Sequence, residues 1–290
     1  MKLPRLDGWL TASRGALALL SIISAAGPGA ASAWSSELTT PWQVGQKART
    51  RLFAGEVDGR ALAFVEIELA PGWKTYWRNP GDAGGLPPSF DWAKSQNLAE
   101  ATVLYPAPIR MRDKAGDTIG YKSHVIFPVE LKRQADGGAL SLELDAQYGI
   151  CKDVCIPVEA SLKLEVPPGK LEAAGAAALS SLAAVPRAQE KLTASDPVLV
   201  KAECVLRPDR PHVAIEAQFA ESGDGAEVYL DVPGGIFIPH PVKTGDLGGG
   251  KLQFEAKLGV DVDVDALRGR TITATLVGAG GASSATCQAN

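Results

Sequence analysis

The stretch "QYGICKDVCIPVE", residues Gln147–Glu159, places two cysteines around three residues in what otherwise reads as strand, turn and strand. The segment before Cys151 reads "SLELDAQYGI" and the segment after Cys155 reads "IPVEASLKLEV", and both have the character of strands. We therefore predict a β-hairpin with Lys152–Val154 at its tip. Directly opposed residues of a hairpin lie about 4.5–5.5 Å apart at Cα, within the range of a disulfide. The sequence thus predicts that the two cysteines face each other.

Three roles are open for this pair of cysteines. A structural bridge between Cys151 and Cys155 would close a very small loop, so its contribution to stability through chain entropy is small. A zinc site is disfavoured, because the chain has no second cysteine pair of this kind and no histidine nearby. A disulfide at an exposed tip can be reached and reduced by a thiolate, which leaves redox use as an equal alternative to a structural bridge.

Most of the chain shows the alternation of apolar and polar residues that is typical of half-buried strands. Examples are "RALAFVEIELA" (60–70), "KSHVIFPVEL" (122–131) and "HVAIEAQF" (212–219), with Gly and Pro turns between such segments. An Ala-rich segment from Pro167 to Pro197 interrupts the pattern and favours a helix. We predict an all-β fold of two β-sandwich domains, at 34–168 and 195–290, joined by a short helical linker at 169–194.

The first 33 residues have the features of a signal peptide. Three cations and one acidic residue precede an apolar run, Gly15–Ala26, and the small residues Ala31–Ala33 follow it. That run is too short to span a bilayer, and no later segment resembles a transmembrane helix. The sequence predicts a mature chain that begins at Trp34 in the periplasm, where disulfides persist. A buried N-terminal helix is the alternative.

The charge of the chain argues against nucleic-acid binding. Its formal net charge is −4, and it becomes −6 once the predicted signal peptide is removed. The chain has 3 histidines and no basic stripe that would follow a phosphate backbone.

The other two cysteines belong to the second predicted domain. Cys204 lies in its first predicted strand and Cys287 just beyond its last. Terminal strands of a sandwich can be neighbours, so we predict a structural disulfide between them, worth roughly 4 kcal/mol in the chain-entropy model. The alternative is that one or both are free thiols.

Three motifs resemble the N-terminal periplasmic domain of the DsbD/ScsB thiol–disulfide interchange proteins, closest to the ScsB copper-sensitivity branch. They are "GWKTYWRNPGDAGGLPPSFDW" (72–92), "TIGYKSHVIFPVEL" (118–131) and "YGICKDVCIPVEASL" (148–162). The likeness is strong over 34–166 and looser beyond. It implies an immunoglobulin-like domain whose cysteine pair, Cys151 and Cys155, passes reducing equivalents to periplasmic partners.

The resemblance also implies roles for single residues. Cys155 would form the bond to the partner and Cys151 would resolve it. A cap loop with an aromatic side chain shields the sulfurs in the family, which makes Tyr121 the cap candidate, with packing on the sheet as its alternative. Tyr76 matches an aromatic that the family places close to the cysteines, in the wall of the site.

Two features depart from the family pattern. The cysteines are closer together in sequence than in DsbD, and no apolar spans for a membrane reductase follow before Asn290. We therefore expect a separate membrane electron donor and a thioredoxin-like partner, with protein-disulfide reductase-type exchange as the activity and no cofactor.

Two other functions remain open. One is a non-catalytic binding or assembly module with two structural disulfides. The other is a copper-tolerance factor. Against a dedicated metal site, the candidate soft ligands outside the cysteines are dispersed: Met111, His124, His212 and His240. A Cu(I) site would have to use Cys151 and Cys155 themselves.

Overall fold

The computed structural model of the chain describes residues 38–113, 116–135, 137–206, 209–220, 225–260 and 262–289. The predicted signal peptide, residues 1–33, lies outside these ranges. Neither helix in the described ranges has the length and apolar character that a membrane span requires.

The N-terminal half folds into two facing sheets of six strands each, within the described residues. The first sheet contains β1 (Leu38–Thr39), β2 (Gln43–Val44), β3 (Ala48–Val57), β4 (Arg60–Leu69), β7 (Leu98–Val103) and β10 (His124–Arg133). The second sheet contains β5 (Lys74–Tyr76), β6 (Ser89–Asp91), β8 (Ile109–Asp113), β9 (Gly116–Lys122), β11 (Leu140–Cys151) and β12 (Cys155–Val166). In the second sheet the strands run in the order β12, β11, β5, β9, β8, and β6 pairs with β11. The hairpin of β11 and β12 therefore forms one side of this sheet.

The alternation of residues in these strands builds the core between the two sheets. Burial along β12 alternates residue by residue from Val158 to Val166, with the even-numbered side chains inward. Strand β4 is buried on both faces. Its residues Ala63 and Val65 enter the core between the sheets, whereas Leu62 and Phe64 pack on the outer face against helix α1 (Ala176–Ala183). The helix therefore covers a face that would otherwise expose large apolar side chains.

The C-terminal half forms a second, smaller sandwich of two sheets with four strands each among the described residues. One sheet contains β13 (Arg187–Ala188), β16 (Glu227–Asp231), β19 (Thr271–Gly278) and β20 (Gly281–Gln288). The other contains β14 (Val198–Val205), β15 (His212–Gln218), β17 (Val242–Asp246) and β18 (Lys251–Lys257), and the short helix α2 (Val264–Leu267) precedes β19. The prediction of an all-β fold of sandwich type is confirmed.

A charged cluster lies across neighbouring strands of the first sheet. Glu66 pairs with His124 at 2.8 Å and with Arg51 at 2.5 Å. Burial of the Glu66 carboxyl opposes its ionisation, but the hydrogen bonds and charges of His124 and Arg51 outweigh burial, so its pKa lies below its ordinary value. The hydrogen bond to Glu66 raises the pKa of His124 above its ordinary value, against the opposing effect of partial burial. The cluster therefore couples stability to pH.

Candidate functional site

The candidate site lies at the tip of the β11–β12 hairpin. Pairing runs without a shift from Leu140 and Val166 to Cys151 and Cys155, which are directly opposed. Their Cα atoms are 4.1 Å apart and a disulfide joins the two sulfurs. The tip itself is closed by a hydrogen bond from the Lys152 amide to the Val154 carbonyl, 3.2 Å long. The hairpin and the disulfide that the sequence predicts are thus both present.

The two cysteines differ in exposure because of their places in the sheet. Cys151 is 9% exposed, since its strand lies between β12 and β5 and Lys74 is its partner on the β5 side. Cys155 is exposed at the start of β12, which is the edge strand of the second sheet. Pro157 follows on this edge strand and has no amide hydrogen to offer. Cys155 is therefore the more exposed residue of the disulfide.

Tyr76 lies directly against the exposed cysteine. Its hydroxyl is 3.4 Å from Sγ of Cys155, and its side chain is only 2% exposed. The ring fits between Gly85 and Gly149: an ideal Cβ would come within 2.3 Å of the ring at Gly85 and within 2.9 Å at Gly149. The sequence therefore needs glycine at both positions for the tyrosine to reach the sulfur.

A loop covers this tyrosine. The loop 81–88, named the cover loop below, begins after Pro80 and ends before β6. The amide of Gly149 donates a hydrogen bond of 2.9 Å to the carbonyl of Leu86, which ties the loop to β11 beside the disulfide. Leu86 itself is 46% exposed. The loop thus shields Tyr76 while one of its own apolar side chains remains in solvent.

Tyr121 does not lie over the sulfurs, which corrects the assignment of this residue as the cap. It is 7% exposed in the core between the sheets, its ring packs edge-on against Phe127, and its hydroxyl donates a 2.8 Å hydrogen bond to the Pro106 carbonyl. Burial raises the pKa of this phenol well above its ordinary value. The physical reason is the alternation of faces in β9. Tyr121 pairs with Thr75, which is buried. Its neighbour Gly120 pairs with Tyr76 and lies on the opposite face of the strand.

Cationic side chains flank the disulfide on the side opposite β12. Cys155, Cys151, Lys74 and Lys122 are successive partners across four neighbouring strands. A cleft of about 340 Å³ opens beside Cys151, and its lining includes Lys74, Arg112, Lys122 and Lys152. Sequence reasoning missed this group, because Lys74 in β5 comes beside the β8–β9 hairpin, which carries Arg112 and Lys122, only through the non-local pairing of β5 with β9.

The segment that follows Tyr76 is held by the C-terminal sandwich. Trp77 packs against Tyr229, with ring centroids 5.9 Å apart. Arg78 forms a 3.1 Å ion pair with Asp231, and the side-chain amide of Asn79 donates a 2.8 Å hydrogen bond to the Leu230 carbonyl. Burial raises the pKa of Asp231, and Arg78 opposes this effect. These contacts fix the chain at the base of the cover loop.

His240 adds to the same contact. It lies in the loop between Pro239 and Pro241, but its side chain is 2% exposed and lies 3.0 Å from a carboxylate oxygen of Glu227. Arg110 from β8 approaches the same carboxylate at 3.6 Å. The histidine is thus a buried contact residue rather than a displayed one.

Cys204 and Cys287 carry free thiols in this structure, and the disulfide between them stays a prediction. Cys204 forms a β-bridge with Ala289, and a hydrogen bond joins the Cys204 and Cys287 thiols. The hydrogen bond to Cys287 and burial raise the pKa of the Cys204 thiol. In the described part of the chain, no group of three or more His, Cys, Asp or Glu side chains is arranged to hold a metal ion.

Known proteins resemble this chain in sequence over part of its length and in fold. Residues 42–167 match the family model of the N-terminal part of the thiol:disulfide interchange protein DsbD. The crystal structure of the N-terminal periplasmic domain of ScsB from Proteus mirabilis is similar, with a TM-score of 0.65 and 24% identity, over 87% of this chain and 98% of that chain. No curated protein matches the chain. The family model confirms the resemblance to the DsbD N-terminal part over residues 42–167, and the ScsB structure shows a similar fold.

Proposed function

We propose that residues 42–167, which form a DsbD/ScsB-type N-terminal domain, exchange disulfides with partner proteins through Cys151 and Cys155. The observation that carries this proposal is the asymmetry of the pair. Cys155 is exposed on an edge strand, whereas Cys151 is 9% exposed between two strands. Exchange requires one sulfur that a partner can reach and a second that resolves the mixed disulfide. We assign the first role to Cys155 and the second to Cys151.

In the reducing direction the pair starts as two thiols. The Cys155 thiolate attacks one sulfur of the partner's disulfide, a bond forms between them, and the partner's other sulfur leaves as a thiolate. The Cys151 thiolate then attacks Sγ of Cys155, which closes the intramolecular disulfide and releases the partner as a dithiol. Two electrons have moved to the partner, and a dithiol donor returns the pair to its reduced form.

The proposed setting follows from the family and from the N-terminal sequence. Residues 1–33 would direct the chain to the periplasm as a signal peptide, and the partner would be a thioredoxin-like protein. The donor would be a separate membrane protein. Tyr76 and the cover loop would restrict the approach of small oxidants to Cys155, because they occupy the space beside its sulfur.

Trapping of mixed disulfides tests the proposal. Both variants carry Cys204→Ser and Cys287→Ser, so that Cys151 or Cys155 is the remaining thiol. The variant with Cys151→Ser should trap a covalent complex with an oxidised thioredoxin-like protein, detected by non-reducing electrophoresis and lost with dithiothreitol. The variant with Cys155→Ser should trap little, because Cys151 is buried.

Two results would contradict different parts of the proposal. Equal trapping by the two variants would refute the assignment of roles to the cysteines. A wild-type disulfide that resists mild dithiols, together with no trapping by either variant, would refute exchange itself and favour a structural bridge.

A further inference from the structure

We propose that the cleft beside Cys151 binds an acidic segment of the partner protein, next to the partner's reactive cysteine. This inference rests on the proposed function, because it assigns the partner's chemistry at the same site. The cleft is named the cationic cleft below. Among the residues that the structure describes, its charged lining consists of Lys74, Arg112, Lys122 and Lys152. The chain as a whole has a net charge of −4, so this local excess of positive charge runs against its composition.

Internal ion pairs do not neutralise most of the cationic cleft. Among the described residues, Arg112, Lys122 and Lys152 form no salt bridge, and all three are exposed. Lys74 has partners within the protein, among them the hydroxyl of Thr118 at 2.9 Å, so the proposal rests on the other three cations. Asp153 is adjacent to Lys152 in sequence, but it does not line the cleft. The positive potential therefore remains available to an approaching anionic group.

The cationic cleft has apolar as well as charged lining. It has a volume of about 340 Å³ beside the disulfide, and the buried side chains of Trp73 and Met111 contribute to its lining. A flat patch of solvated lysines would have no such apolar lining. The combination of apolar and cationic lining fits a peptide segment that carries carboxylates.

Strand spacing sets where the acidic residues should lie. Lys74 and Lys122 are two and three strands away from Cys155 across the sheet. Adjacent strands are about 4.8 Å apart, so these lysines lie roughly 10 and 14 Å from the cysteine along the sheet. An extended peptide covers about 3.3 Å per residue, which places its carboxylates about three and four residues from the cysteine bonded to Cys155.

Model peptides test this expectation. The protein carries Cys151→Ser, Cys204→Ser and Cys287→Ser, and the probe is a short peptide whose single cysteine is activated as a 2-pyridyl disulfide. Attack by the Cys155 thiolate forms the protein–peptide disulfide and releases thiopyridone, whose absorbance gives the rate. One peptide has Glu three and four residues from the cysteine, and its partner has Gln at both positions. The rate with uncharged dipyridyl disulfide corrects for changes in the reactivity of Cys155.

We expect the Glu peptide to react about tenfold faster than the Gln peptide at low ionic strength, with the advantage shrinking as salt is added. Arg112→Glu with Lys122→Glu should abolish the advantage. Lys170→Glu with Lys191→Glu is the matched control, because it changes the net charge equally at exposed positions outside the cleft, and it should preserve the advantage.

Two results would overturn the proposal. The first is equal rates for the Glu and Gln peptides, and the second is an equal loss of the advantage in the cleft and control variants. If Cys155 reacts with neither the peptides nor dipyridyl disulfide, thiol exchange itself fails, which distinguishes that outcome from the loss of charge selectivity alone.

Discussion

Replacement of Gly149 by alanine should loosen the shield over the disulfide. An ideal Cβ at this position lies 2.9 Å from the Tyr76 ring, 3.0 Å from Cβ of Leu86 and 3.1 Å from the Leu86 carbonyl oxygen. Ordinary carbon contacts are about 3.5–4.0 Å, so the neighbours must move by roughly 0.5–1 Å. Gly149 is not among the glycines with positive φ, and alanine therefore adds no backbone strain. The effect of the substitution is steric.

The cover loop is the part that should yield. Tyr76 is confined between Gly85 and Gly149, whereas Leu86 is 46% exposed and free to move outward. Overpacking of this kind costs about 1–3 kcal/mol. At about 3 °C per kcal/mol for a chain of this size, the melting temperature should fall by about 3–9 °C. Displacement of Leu86 also weakens its hydrogen bond with the Gly149 amide, so Cys155 should become more accessible.

The assay is the rate of reduction of the Cys151–Cys155 disulfide by dithiothreitol, followed by alkylation of the released thiols in a background of Cys204→Ser and Cys287→Ser. The rate should rise several-fold in Gly149→Ala. Gly259→Ala is the matched control, because no atom lies within 4 Å of its ideal Cβ and its φ is not positive. A lower melting temperature with an unchanged rate of reduction would show that the cover loop does not guard the sulfur.

Three further predictions concern stability. Tyr148→Phe removes the 2.6 Å hydrogen bond with the Thr50 hydroxyl in the core and leaves the threonine unpaired. The free energy of unfolding should fall by about 1–3 kcal/mol in chemical denaturation. An unchanged midpoint would contradict this. Because the folded-state pKa of His124 is raised above 6.5, its stabilisation is full below that pH and lost as the pH rises through the raised pKa. His124→Gln should therefore lower the melting temperature more at pH 6 than at pH 9, and an equal loss would refute the coupling to Glu66. Asn79→Ala removes the hydrogen bond to Leu230 and should destabilise the chain by about 1 kcal/mol. It should also speed the reduction of the disulfide by dithiothreitol. An unchanged reduction rate would show that this contact does not support the site.

The sequence predicts the fold class and the hairpin because their signals are local. The alternation in β12 and the two cysteines around Lys152–Val154 can each be recognised from neighbouring residues alone. The face occupied by Tyr121 was also encoded locally. Tyr121 follows the apolar Ile119 by two positions, so the two side chains lie on the same face of β9, and both are buried in the core. A shift of one residue along a strand changes the face, which is why assignment by motif position alone placed this tyrosine at the site.

The cationic cleft and the buried His240 could not be predicted in the same way. Lys74 and Lys122 become neighbours only through the pairing of β5 with β9. His240 is buried by Glu227 and Tyr229, and a loop with two prolines carries no sign of such partners. Interactions of this kind depend on which strands pair and which surfaces meet. Local patterns in a single sequence do not show such non-local pairings.

The hydrogen bond of Asn79 with Leu230 in the C-terminal sandwich has a consequence for biogenesis. It joins residues 151 positions apart in the chain, so a polypeptide that emerges N-terminus first has its cysteine hairpin long before it has Leu230. During synthesis, the hairpin is therefore complete before the base of the cover loop is held in place. The guarded form of the disulfide thus requires residues of the C-terminal sandwich.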